Sequence, residues 1–371
     1  VANSSLKVGL IGCGNICKQY LTNAKNYPVL DMVGCADLDS QRAKDAAEAF
    51  DVPRAYESPE ELLEDPGIDL VINLTIPAAH AEVSLAAIEN GKHVWTEKPL
   101  AAWREEGVKI LEAAKANGVR VGGAPDTFFG AAQQTARRVI DEGQIGRPLA
   151  AMCFMLCPGR EQWHPNPGFF FEPGGGPMHD MGPYYLTALV NLFGAIKRIN
   201  SVSSILKPER VIESEPLKGQ TIDVTTPDHV AGNIEFESGV VATIVMSFAT
   251  YFPVYDTTRP ITVYGTEGTL QVPDPNNFDS DVLMRKLGQD DWQPVPCRHT
   301  TGYGRSVGTA DMAAGILNGR PHRGSAELVF HVLDAMQGFL EASEQDKSYY
   351  PAMSAERPAA LPEGLPLGDM D

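Results

Sequence analysis

Val8-Gly9-Leu10-Ile11-Gly12-Cys13-Gly14-Asn15-Ile16-Cys17 carries the first structural signal of the chain. A short apolar run ends in Gly12, a second glycine follows two positions later, and a helix pattern begins. Gly12 allows a tight turn. Gly14 lets the backbone approach a pyrophosphate, and the N-terminus of the following helix offers N–H donors to negative charge. Asn15 and Ile16 complete the loop. Cys17 stands where a third small residue is usual, and a buried thiol is compact enough to keep helix and sheet in close contact.

Outward from this loop, strand and helix signals alternate. Leu30 to Ala36 is a second apolar run, ending at Asp37. Asp39 to Phe50 reads as a helix. Ser58-Pro59-Glu60-Glu61 is a capping box with proline at the first helical position. Leu70 to Leu74 is a third strand, Ala79 to Glu89 a helix, His93 to Thr96 a fourth strand, Glu105 to Ala116 a helix and Val119 to Gly122 a fifth strand. This alternation predicts βαβ units, hence a parallel sheet with helices on both faces.

Beyond residue 125 the pattern changes. Helices fit Ala131 to Glu142 and a segment ending at Phe193, with a strand over Leu149 to Leu156. Period-two segments follow at 199–206, 229–237, 240–248, 261–264 and 269–272, with hairpin loops at Glu237-Ser238-Gly239 and Gly265 to Gly268. Helices return at Ser306 to Leu317 and Ala326 to Ser343. The expected architecture is an α/β chain: a doubly wound Rossmann domain over residues 1–124, then an α+β domain with a large, mostly antiparallel sheet over 125–350. The proline-rich tail, 351–371, has no periodicity and is expected along the surface without a core of its own.

Composition narrows the function. The chain has 371 residues, enough for two domains, with 43% hydrophobic and 21% charged residues, an ordinary globular mix. A net charge of −18 repels phosphate backbones and anionic lipid, which argues against nucleic acid and membrane partners. No apolar run is long enough to span a bilayer, and the first residues show no signal-peptide pattern. The six cysteines have no paired C-x-x-C spacing, so neither a metal site nor a disulfide framework is expected, and a cytoplasmic setting fits.

Asp37 lies 23 residues after Gly14, at the end of the second strand. A carboxylate there accepts hydrogen bonds from a ribose and repels a 2′-phosphate. NAD(H) is therefore favoured, while Arg42 nearby keeps NADP(H) open. Lys98 falls just past the carboxyl end of the fourth strand, where open parallel sheets bind their ligands.

The glycine loop, Thr75-Ile76-Pro77-Ala78-Ala79-His80, Glu97-Lys98-Pro99, Gly174 through Tyr184 and the hairpin Tyr264-Gly265-Thr266-Glu267-Gly268-Thr269 together resemble the glucose–fructose oxidoreductase/inositol dehydrogenase/rhizopine catabolism (Gfo/Idh/MocA) family. The resemblance covers roughly residues 6–345. It implies that Lys98 is an active-site lysine, that Thr75, Pro77, His80 and Glu97 lie on the cofactor side, and that the chain forms a homodimer or homotetramer through its open sheet face. His80 equally suits the start of the next helix.

The family commonly carries Asp-x-x-x-His, with histidine as general acid/base. Here Asp180 is followed four residues later by Tyr184 instead. Both fall on about one helix face. Pro183 is tolerated there if the helix begins near Asp180. A phenol's ordinary pKa, about 10, needs a neighbouring cation to serve at neutral pH, so Tyr184 as proton carrier depends on Lys98. Asp180 then orients Lys98 or binds a substrate hydroxyl. His179 is the rival proton carrier but points about 100° away on a helix.

Trp163 and His164, in an aromatic and polar loop, suit the C–H faces and hydroxyls of a sugar. Asp126, after the fifth strand, is another candidate near the cleft, and Arg160 a candidate for a carboxylated sugar. The expected activity is hydride transfer between nicotinamide and a secondary alcohol or ketone of a sugar, sugar derivative or cyclitol, with Lys98, Asp126, Trp163, His164, Asp180 and Tyr184 on the substrate. Two alternatives stay open: a reductase of keto- or anhydro-sugars or an oxidoreductase with retained NADP(H), and a dinucleotide-binding sensor without catalysis.

Overall fold

In the computed structural model, which describes residues 5–371, strand and helix alternate from the start. The order is β1 (Leu6–Ile11), α1 (Cys17–Ala24), β2 (Leu30–Ala36), α2 (Ser40–Phe50), β3 (Arg54–Ala55), α3 (Pro59–Glu64), β4 (Leu70–Asn73), α4 (His80–Glu89), β5 (His93–Thr96), α5 (Arg104–Asn117) and β6 (Val121–Gly123). All pairings are parallel, in the order β3-β2-β1-β4-β5-β6. That is the doubly wound order, with its reversal between β1 and β4. Val8, Leu10, Val71, Ile72, Val94 and Trp95 are fully buried, as expected for strands covered on both faces. Five of the six strands match the sequence expectation. The two-residue β3 is too short to give a periodic signal.

Local chemistry sets the helix ends. Asp39 caps α2 by accepting from the Gln41 N–H at 3.1 Å. The Ser58 hydroxyl accepts from the Glu61 N–H at 3.3 Å, and Pro59 opens α3. The capping box differs from expectation in one detail: the Glu61 carboxylate takes the N–H of Glu57, not that of Ser58. Gly118, at φ 66°, ends α5.

The second sheet follows from α6 (Ala131–Asp141), β7 (Pro148–Leu156), α7 (Gly176–Phe193), β8 (Ile196–Ser204), β9 (Glu209–Val211), β10 (Thr221–Asp223), β11 (His229–Phe236), β12 (Val241–Ser247), β13 (Ile261–Gly265), β14 (Gly268–Val272), β15 (Leu283–Lys286) and β16 (Gln293–Pro294). Eight strands run β16-β15-β14-β13-β7-β12-β11-β8, antiparallel except for β7 with β12, and β9 pairs with β10 separately. One face packs on α7. The other alternates outward and carries Met152, Val202, Val241 and Tyr264, all substantially exposed.

Two expectations need correction. First, α7 begins at Gly176 with Pro177 in its first turn, so Pro183 is a helix-interior proline and not a first-turn one. The Gly-Gly-Gly-Pro run starts the helix earlier because proline is preorganised for a first turn. Second, the tail is not merely draped on the surface. Leu361 and Met370 are buried, the Leu361 N–H donates to Gln134 Oε1 at 2.9 Å, and Arg320 and Arg323 both donate to the Met370 carbonyl. Prolines forbid a regular ladder, so isolated bonds pin the segment.

The chain forms two compact units, neither of them one continuous stretch. The first comprises residues up to Gln134, Arg298–Leu333 and Pro358–Asp371; the second comprises Thr135–Cys297 and Asp334–Arg357. The returning segment adds α8 (Val307–Leu317) and the first turns of α9 (Ala326–Gln345) to the first unit.

Candidate active site

The glycine loop has the geometry a dinucleotide requires. Gly12 adopts φ +102°, and a Cβ there would lie 2.6 Å from the Leu74 carbonyl, so both conformation and space demand glycine. A Cβ on Gly14 would meet nothing within 4 Å among the described residues. Among the described residues, no side chain caps the start of α1, whose first residue is the buried Cys17. The amides facing that open side suit a pyrophosphate. Asp37 is already oriented: its carboxylate accepts the Cys13 N–H at 2.7 Å and the Asp39 N–H at 2.9 Å. Arg42 forms an ion pair with Asp39 at 3.5 Å. These residues fit a nicotinamide dinucleotide.

After β4, Asn73 organises the turn from within. Its Oδ1 accepts from the Thr75 N–H and hydroxyl, and its amide donates to the His80 carbonyl and to Ser84. Pro77 opens a short 3-10 turn, and α4 starts at His80. His80 itself is fully buried. Its Nδ1 lies 2.6 Å from the Pro99 carbonyl and its Nε2 3.0 Å from the Thr75 carbonyl. Burial holds its pKa below the ordinary histidine value. His80 thus links two loops and does not line an open surface, which corrects its placement on the cofactor.

The turn bearing Lys98 is fixed on both sides. Glu97 accepts the Tyr20 hydroxyl at 2.8 Å on one oxygen and the Lys98 N–H at 2.9 Å on the other. His80 meets the next carbonyl. Behind the turn, Trp95 is fully buried, and a Cβ on Gly308 of α8 would come 2.2 Å from its ring. The half-buried Lys98 therefore leaves the end of β5 from a backbone with little freedom.

Asp126 is also corrected. It is fully buried, accepting from Arg305 Nη1 at 2.9 Å and from the Ser306 N–H at 3.1 Å. Burial raises its pKa despite the guanidinium, and an aspartate enclosed this way does not offer itself to a sugar.

In the second unit, Asp180 and Tyr184 lie one turn apart on α7. Asp180 is mostly buried, and its Oδ2 accepts from Arg160 Nη2 at 2.8 Å and Nε at 3.1 Å. Tyr184 is 7% exposed. His179 is buried as well. Burial, only partly offset by the Gly175 backbone, pushes its pKa down to about 4. That enclosure removes it as an open proton carrier.

The loop before α7 presents aromatic surface. His164 is ringed edge-on by Trp163 at 5.5 Å, Phe169 at 5.4 Å and Phe170 at 5.2 Å. Trp163 remains 60% exposed. The loop is held by a buried charge cluster: Arg210 pairs with Glu161 and with Asp228, each at 2.7 Å. Sequence reasoning missed this clamp, since its partners are far apart and share no spacing. Leu38 and Ile76, 92% and 70% exposed, stand just past the ends of β2 and β4.

Residues 6–123 match the family described as oxidoreductase, NAD-binding Rossmann fold, and residues 133–271 match the GFO/IDH/MocA C-terminal domain. A 1,5-anhydro-D-fructose reductase of Ensifer adhaerens is 30% identical, over 71% of this chain and 74% of its own length. A scyllo-inositol 2-dehydrogenase (NAD(+)) of Bacillus subtilis (strain 168) is 30% identical, over 76% of this chain and 78% of its own. Among solved structures, a levoglucosan dehydrogenase in complex with NADH has the same fold, with TM-score 0.81, 23% identity, and coverage of 94% of this chain and 100% of that one. With both domains and two such relatives matched, the chain belongs to the Gfo/Idh/MocA family of NAD-binding oxidoreductases.

Proposed function

We propose that the protein transfers hydride between NAD(H) and a secondary alcohol or ketone of a neutral sugar, anhydrosugar or cyclitol. The observation that carries this reading is the Lys98 turn, locked by Glu97, Tyr20 and His80 at the carboxyl end of a parallel strand. Bound nicotinamide supplies the hydride donor or acceptor. Lys98 presents an ammonium that stabilises alkoxide character on the carbinol oxygen, Tyr184 exchanges the proton, and Asp180 holds a substrate hydroxyl. Asp37 binds the ribose hydroxyls and disfavours a 2′-phosphate, which supports NAD(H) over NADP(H). Thr75 and Pro77 border the cofactor, while Leu38 and Ile76 give apolar cover to its rings. Trp163 and His164 meet the C–H face of the substrate.

The outward sheet face with Met152, Val202, Val241 and Tyr264 supports a homo-oligomer, and the buried thiols of Cys17, Cys35 and Cys153 support a reducing, cytoplasmic setting. No helix among the described residues is long and apolar enough to cross a membrane.

The test is nicotinamide fluorescence on a panel of sugars, anhydrosugars and cyclitols with NAD(H) and NADP(H). Turnover on a neutral polyol with NAD(H), lowered roughly 100-fold by Tyr184→Phe, is expected. NADH binding without turnover on any member would favour a sensor and defeat the reading.

A further inference from the structure

We propose that Arg160 is a positioning residue of the reactive site, fixing the carboxylate of Asp180 in place and in its charged form, and that it is not a grip for an anionic substrate. The inference rests on the reading of Asp180 as part of that site.

Three observations converge. Nε and Nη2 of Arg160 both donate to Oδ2 of Asp180, at 3.1 and 2.8 Å. Two donors on one oxygen fix the direction of a carboxylate more tightly than a lysine could. Neither partner is a solvated surface group, since their side chains are 16% and 14% exposed. The pair is therefore less screened than an exposed bridge.

The guanidinium is itself braced. It lies over the Phe248 ring, 4.7 Å from the centroid, and 5.8 Å from that of Trp163. Its backbone is anchored by the next residue. The Glu161 carboxylate is buried against Arg210, and the Glu161 carbonyl accepts from the Glu213 N–H at 2.9 Å and from Ser214 Oγ at 3.3 Å. Adjacent residues thus do opposite jobs, Glu161 turned inward to fasten the loop and Arg160 directed at Asp180. With two of its donor groups committed to one carboxylate, Arg160 has spent the charge that a sugar acid would need.

Among the ionisable groups close to the pair are Glu161, Cys157 and Asp274. Burial raises the pKa values of Cys157 and Asp274, and Arg160 counteracts this at each.

The experiment compares wild type, Arg160→Gln and Arg160→Lys in the full chain by two readouts. The first is the carboxyl 13C titration of Asp180, assigned by its loss in Asp180→Asn. Its midpoint is expected to rise by about one pH unit in Arg160→Gln and to return most of the way in Arg160→Lys. The second is kcat and KM against pH with NAD(H) and the fastest neutral polyol. Here kcat is expected to fall roughly 10- to 100-fold in both variants, more than KM changes, with the acid limb moving up in Arg160→Gln. Added guanidinium should restore part of the rate in Arg160→Gln. An unchanged Asp180 titration in both variants overturns the proposal, and so does a wild-type rate in either. If Arg160→Gln fails to fold, Arg160→Lys carries both readouts. Absence of turnover in wild type would defeat the hydride-transfer reading instead, leaving the titration to judge Arg160.

Discussion

The Glu97–Lys98–Pro99 turn is held by hydrogen bonds that a parallel sheet supplies from its own neighbouring loops: Tyr20 from α1, His80 from the start of α4, and a carboxylate closing on the next residue's N–H. The loop at 157–171 instead follows β7, an interior strand between β13 and β12, and runs on to α7 with no ladder of its own. It is held by guanidinium groups, Arg210 from inside and Arg160 toward α7. A turn between strands inherits its position from the ladder, whereas a long loop needs charge to fix it, and buried charge is stabilising only when fully paired.

The largest effect should come from breaking the charge-held region. Arg210→Met leaves Glu161 and Asp228 buried without their cation, and a loss of about 3–5 kcal/mol is expected in chemical denaturation. NADH affinity should stay unchanged, because the hydrogen bonds from Tyr20, His80 and Glu97 that hold the Lys98 turn lie within its own unit. Equal losses of stability and NADH binding would show that the two regions are not independent.

Next comes pH. His179 has a folded pKa near 4 against an ordinary value of 6.5. Between those values the unfolded chain binds more protons, so its contribution is complete above pH 6.5 and declines as pH falls toward 4, by roughly 3 kcal/mol. His179→Gln should flatten the slope of stability against pH in that window. A slope identical to wild type would mean the imidazole is not shielded as the packing indicates.

A smaller effect is expected at the sheet-held turn. Tyr20→Phe removes one donor from the Glu97 carboxylate while the Lys98 N–H remains, costing about 2 kcal/mol. The measurement is a denaturant melt alongside kcat. If stability falls but kcat does not, the turn keeps its shape without Tyr20.

The difference between the regions also explains what was legible in the sequence. β1, β2, β4 and β5 announce themselves as apolar runs closed by Gly12, Asp37, Asn73 and Glu97, because burial on both faces leaves little else that fits. The loop geometry at Gly12 follows from residue type alone. Asp126 was misplaced because its partner Arg305 lies 179 residues away. A separation of 49 residues likewise hid Arg210 from Glu161. His80 was misjudged because burial, not sequence position, makes an imidazole a strut. Pro183 was placed in a first turn because proline usually belongs there, and tertiary packing of α7 overrode that preference.

On the proposed mechanism, catalysis turns on the ammonium of residue 98 acting on the reacting oxygen. The most direct test is Lys98→Met, comparing kcat/KM on the best polyol with NADH affinity measured by fluorescence. The rate should fall roughly 100- to 1000-fold while the dissociation constant for NADH stays within a few-fold of wild type. A variant that keeps more than about a tenth of the wild-type rate would contradict the account.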